Sequence, residues 1–167
     1  MNAILAIVEA RAAGVKLGLD GDALTLEASA PPPPAVVETL SRHKAEIIAL
    51  LRTAEDGWSA LDWWTFFGER TRMAAVHGLT GIGAEARAFN CCVVEWLNRN
   101  PVGSLPGRCL GCGQAENSDD PLLPFGIESS GQAWLHSRCW PAWHESRKAK
   151  AVAKLAMMGV HEPSTRR

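Results

Sequence analysis

Two tight pairs of metal-ligand residues constrain this chain more than any other feature: Cys109-x2-Cys112-x23-His136-x2-Cys139. Zinc takes four soft or borderline ligands in a tetrahedron, and two ligands separated by two residues can grip one ion from a single turn. In CLGCG, Cys109 to Gly113, the residues Gly111 and Gly113 suit such a turn because glycine accepts left-handed backbone. His144 is a rival fourth ligand, but it lies five residues after Cys139 and on a different helical face. The expected site is therefore Cys109, Cys112, His136 and Cys139 around one structural Zn2+ ion. Only five cysteines are present, and the N-terminus MNAILAIVEARAAG has no basic leader and soon meets Glu9. Reduced thiols or metal ligands in the cytoplasm are expected, rather than a disulfide framework. The composition is 47% hydrophobic and 21% charged, and no apolar run approaches the roughly 20 residues of a membrane span.

Between the two pairs, PLLPFGIE, the polar turn SSG and QAWLH read as a short hairpin. After Cys139 a helix is expected from Pro141 to Met158, with Gly159 at its end. Knuckle, hairpin and then a helix that brings the last ligand is an order that resembles the treble-clef zinc fingers. A metal would replace the core that so short a segment cannot otherwise build, with Trp134, Trp140 and Trp143 shielding it. Four protein ligands close a zinc site, whereas catalytic zinc keeps a position open for water. Nucleobase deaminases place an H-x-E histidine before their cysteine pair, but here the order is reversed and Ser137-Arg138 follows His136. Neither a Gly-rich phosphate loop nor a G-x-S-x-G elbow occurs. Asp119-Asp120 reads as a solvated turn. The chain is not expected to be an enzyme.

The first fifty residues are organised differently. Asn2 is a candidate helix cap, and Ile4, Leu5, Ile7, Val8 and Ala12 form a helical stripe that stops at Gly14. The period then changes to two: Val15, Leu17 and Leu19, a turn at Asp20-Gly21, then Leu24, Leu26 and Ala28. Pro31 to Pro34 form a stiff connection to a helix ending near Arg52, whose buried side carries Val37, Leu40, Lys44, Ile47, Ile48 and Leu51. ILAIVEARAAGVKLGLDGDALTLEA, a proline loop and LSRHKAEIIALLR together resemble the TubC-type N-terminal docking domain over residues 1–52. The resemblance implies a small αββα module that recognises a segment of another protein. Its contacts would fall along the hairpin from Lys16 to Glu27, notably Lys16, Leu17, Leu19, Leu24 and Leu26. No synthase domain follows here, and the chain looks closer to small bacterial proteins of phage and mobile-element type that carry related modules.

Residues 53–100 read as helical. Ser59 and Asp62 resemble a capping box opening a helix with Trp63, Trp64, Phe66 and Phe67, closed by Gly78. A second helix spans Ala84 to Asn98 with Phe89, Cys92, Val93, Trp96 and Leu97 on one face, stopped by Pro101. The aromatics read as core, and Cys91-Cys92 as a place for a buried inert thiol. The fold class is thus α+β, in three segments: 1–52, 53–100 and 101–167 with the zinc site. Net charge is −1, but residues 109–133 hold four acids (Glu116, Asp119, Asp120 and Glu128) and no base. Residues 134–167 hold seven bases against Glu145 and Glu162. Two readings stand: a non-catalytic adaptor that docks a protein partner, or a DNA- or RNA-binding accessory factor. For the second speak Arg138 and the stripe Arg147, Lys150 and Lys154, with Lys148, Arg166 and Arg167 as further phosphate contacts. The oligomeric state is left open.

Overall fold

The computed structural model describes residues 2–54, 57–105, 107–126 and 132–163. Glu128, the SSG turn, Arg166 and Arg167 lie outside the described residues. The fold is α+β: among the described residues, six helices and two separate two-stranded antiparallel sheets. The chain packs as two units, Met1–Thr65 and Phe66–Arg167. No helix among the described residues is long and apolar enough to cross a membrane.

The first unit begins with α1, Ala3–Ala12, whose N-cap Asn2 accepts a hydrogen bond from the Leu5 amide at 3.0 Å. The helix ends in a Schellman pair: Gly14 N–H donates to the Arg11 carbonyl and Val15 N–H to that of Ala10. Gly14 takes φ 76°, which the motif requires and a side chain resists. The buried face of α1 is Ala3, Ala6, Ile7 and Ala10, not the expected stripe. Leu5 and Val8 are 51% and 55% exposed, and Ala12 faces solvent. The physical reason is proximity. Here α1 packs against both α2, Pro34–Arg42, and α3, Lys44–Leu51, and alanines let helices approach closely where leucines would not.

Strands β1, Lys16–Asp20, and β2, Ala23–Glu27, pair with Leu17 opposite Leu26 and Leu19 opposite Leu24, as the period of two implies. The turn is Gly21-Asp22, one residue later than expected, with Gly21 alone at positive φ, 58°. That suits a turn needing left-handed backbone only at its first central position. Arg52 reaches back to Asp22 at 2.5 Å. Beyond the prolines, the single expected helix is two, α2 and α3, broken at His43. The break leaves Leu40 and Ile47 buried but turns Lys44 and Val37 outward, with Val36 packed in place of Val37. Leu61 joins the core of Ile7, Val15, Leu40 and Ile47.

The second long-helix region opens with a reciprocal capping box before α4, Ala60–Val76. The Ser59 amide and hydroxyl both donate to Asp62 Oδ2, at 2.8 and 2.6 Å, and the Asp62 amide donates to Ser59 Oγ. Trp63 is fully buried whereas Trp64 is exposed, so the aromatics divide between core and surface. Helix α5, Ile82–Arg99, buries Ala84, Ala88, Phe89, Cys92, Val93 and Trp96. Burial, followed by the neighbouring Cys91, pushes the Cys92 thiol up to about 12, which suits an inert core residue. Strands β3, Leu122–Phe125, and β4, Ala133–His136, form the expected hairpin, with Leu122 opposite His136. Helix α6, Trp140–Met157, follows and packs on α5.

The buried face of α1 has a direct test. Truncating Ile7 to Ala is expected to cost about 2–5 kcal/mol in urea unfolding, whereas Leu5→Ala stays within about 0.5 kcal/mol. Equal costs would restore the stripe read from the sequence.

Candidate metal centre

The knuckle begins where the 101–105 stretch is hooked to β4: Ser104 N–H donates to the Gln132 carbonyl, and the Trp134 amide donates to Ser104 Oγ at 2.7 Å. Leu110 N–H then donates to the Trp134 carbonyl, and Gly113 N–H closes the CLGCG turn on the Cys109 carbonyl at 2.7 Å. Gly113 takes φ 75°, as expected of it. Gly111 serves a different purpose, because its φ is not positive. A Cβ there would lie 2.8 Å from Cys139 Cβ and 3.3 Å from Leu135 Cδ2, so glycine is needed for space.

His136 is the last residue of β4, and Cys139 N–H donates to its carbonyl at 2.9 Å, turning the chain into α6. The second pair is thereby folded over the first. One donor atom from each of Cys109, Cys112, His136 and Cys139 lies within 4.8 Å of all the others, a set that can hold one metal ion. The Cys112 sulfur stands 3.4 Å from His136 Nδ1. In a zinc tetrahedron, bonds of about 2.3 Å to sulfur and 2.0 Å to nitrogen put those two atoms about 3.5 Å apart. The donor chemistry fits as well: three thiolates and an imidazole suit zinc, whereas magnesium and calcium demand oxygen. His144 stays outside the cluster, stacked on Trp140 with ring centroids 4.7 Å apart.

The thiols are not equivalent. Burial by itself raises Cys109, but hydrogen bonds to its sulfur from the amides of His136, Cys112 and Gly111, and from the Cys112 side chain, bring it down to about 6. Burial first, then hydrogen bonding and charge from Cys109 and Cys112, pushes Cys139 up to about 11. One sulfur thus gives up its proton readily while a neighbour holds on to its own. A dication at the centre reverses the second tendency, since metal-bound sulfur is thiolate.

Two residues at the centre were not legible as such. Its place in the sequence suggests a solvated turn for Asp120, but its Oδ2 lies 2.9 Å from the Arg138 guanidinium and 3.7 Å from His136 Nδ1. Arg138 is pushed further up, chiefly by Asp120 and then by contacts with the Cys139 and Cys112 side chains. A zinc ion held by the three thiolates would carry one net negative charge, which the guanidinium at its edge would partly offset. Asp120 and Arg138 lie eighteen positions apart, and no spacing rule connects them.

The aromatics expected to shield the site do lie around it. Trp134, Trp140 and Trp143 pack with Phe125 against the cluster of Cys109, Leu122, Ala133 and Leu135. Compared with protein-family models, curated proteins and solved structures, the chain has no match.

The remaining residues singled out by sequence are spread over both units. Leu17, Leu19 and Leu24 are half-buried on the first hairpin, Lys16 is exposed at its start, and Leu26 is 43% exposed. On α6, Lys150 and Lys154 face solvent and Lys148 pairs with Glu145 at 3.2 Å. Arg147 is half-buried, donates to the Asn100 carbonyl and lies over the Trp96 ring at 5.3 Å.

Three measurements follow from this geometry. Metal affinity should rise with pH from about 6 upward, because the metal needs Cys139 as thiolate, and fall away in acid as Cys109 protonates near 6. Chelator competition across that range reads it, and a flat profile would contradict thiolate ligation. Gly111→Ala is expected to weaken metal binding by about 1–3 kcal/mol, the usual cost of overpacking. Cys112→Ser should leave the chain metal-free and unfold residues 107–160, while amide-exchange protection survives in the first unit.

Proposed function

We propose that this chain is a non-catalytic zinc-binding adaptor, docking a protein partner through its N-terminal α/β module. The observation that carries the reading is the donor count. Cys109, Cys112, His136 and Cys139 supply four protein ligands to one point, and a tetrahedral ion so held has no position left for substrate water. The metal is then structural, in a treble-clef-like arrangement of knuckle, hairpin and helix. The N-terminal module supplies the docking element. Its sheet has two strands, so each strand offers an edge outside the pair, the ordinary requirement for adding a partner strand. Leucines 17, 19, 24 and 26 share one face of that sheet, and only Leu17 and Leu24 pack on the core. The resemblance to TubC-type docking domains points the same way.

Nucleic acid is the second reading, carried by Lys150 and Lys154, which stay open to solvent on α6. Its other two residues support it less. Arg138 is engaged by Asp120, and Arg147 by Asn100 and Trp96. Among the described residues these two lysines imply a shallow salt dependence.

The adaptor reading is tested by selecting ligands from a random-peptide library on the zinc-loaded full chain. Extended, β-prone peptides whose binding is lost in Leu26→Lys are expected. Peptides retained equally by that variant, or none at all, would count against hairpin docking. Titration with labelled single- and double-stranded DNA at low and physiological salt decides the second reading. DNA binding with the shallow salt dependence of about two phosphate contacts, abolished by Lys150→Ala/Lys154→Ala, would replace the adaptor with an accessory factor.

A further inference from the structure

A cavity of about 200 Å³ lies within the second unit, where the end of α5 and the following loop meet the zinc hairpin and α6. Its walls include Leu97, Val102, Phe125, Trp140 and Trp143, and Arg147 lines it as well. Neither the metal nor the docking hairpin accounts for it.

The walls are flat, apolar and held in place. Trp140 stacks on Phe125 at 4.2 Å with an interplanar angle of 10°, and on His144 at 4.7 Å. Phe125 is fixed in turn by β-pairing with Ala133. Aromatic walls favour an aromatic guest through offset and edge-to-face contacts. The size is also selective. A cavity of about 150 Å³ accepts benzene, so this one takes a single ring with one small substituent. A nucleotide or an extended peptide is too large to be enclosed.

Arg147 decides what the substituent is. A guanidinium has five donors. In Arg147 the Nη2 group donates to the Asn100 carbonyl, the guanidinium face meets Trp96, and no carboxylate pairs with it among the described residues. Burial lowers the pKa of Arg147, so its charge sits where water solvates it incompletely. A half-buried cation without a counter-ion favours an anion, and a carboxylate matches its forked donors two at a time. We propose that the cavity walled by Phe125, Trp140 and Trp143 binds a small aromatic carboxylate, its ring among the apolar side chains and its carboxylate on Arg147.

Size, flat walls and charge each make a separate demand on the ligand, and a matched pair of probes separates them. Benzoate and benzamide have nearly the same shape and differ in charge. Titrated into the zinc-loaded full chain and followed by tryptophan fluorescence and calorimetry, benzoate should bind at least about tenfold more tightly than benzamide. Arg147→Gln should bring benzoate down to the level of benzamide. Val102→Trp, which fills the cavity and leaves Arg147 in place, should remove the binding of both. Far-UV circular dichroism and zinc content report whether each variant is folded, and the benzoate-to-benzamide ratio of the parent protein needs no variant. Equal affinity for the two probes in the parent protein, or no binding of either at millimolar concentrations, overturns the proposal. So does unchanged benzoate binding in folded Val102→Trp.

Discussion

Three sulfur atoms and an imidazole nitrogen within 4.8 Å of one another are what the second unit is built around. Thiolates so close repel strongly, and protons settle the conflict unevenly, leaving Cys109 ionised readily and Cys139 reluctantly. A dication removes the conflict at every sulfur. The neighbouring structure serves to bring the ligands together: Ser104 tethers the knuckle to β4, β4 ends on His136, and one turn later Cys139 opens α6. A thiolate at a helix N-terminus also meets the positive end of the helix dipole. Arg138 and Asp120 add an outer ring of charge.

Placing Cys139 at the start of α6 has consequences further along. The first turns of that helix carry Trp140, Trp143, His144 and Arg147, so the Cys and His cluster determines where the aromatic wall and the guanidinium lie. Arg147 then meets the end of α5 at Asn100 and Trp96. The helix is therefore a strut between the metal site and α5 more than a free basic surface, with Lys150 and Lys154 left on its outer side.

Some of this was open to reading in the chain and some was not, and the division follows the range of the interaction. Asn2, the Ser59–Asp62 box and the glycines after α1 and α6 act within a few residues, so pattern alone located them. On α1, side-chain size suggests burial of Leu5 and Val8, whereas close helix packing prefers Ala3, Ala6 and Ala10. The break at His43 leaves no glycine or proline as a marker. Gly111 was legible as necessary, but for handedness rather than for the room that Cys139 needs.

The sequence by itself determined the four clustered Cys and His side chains, the hairpin between them and the α+β alternation, because spacing and short-range hydrogen bonding fix those locally. Only the tertiary structure could show Asp120 meeting Arg138, Arg147 turned inward onto Trp96, or a cavity between α5 and α6. Each joins residues far apart in the chain, and their meeting depends on where whole helices and strands come to rest rather than on any repeat along the backbone.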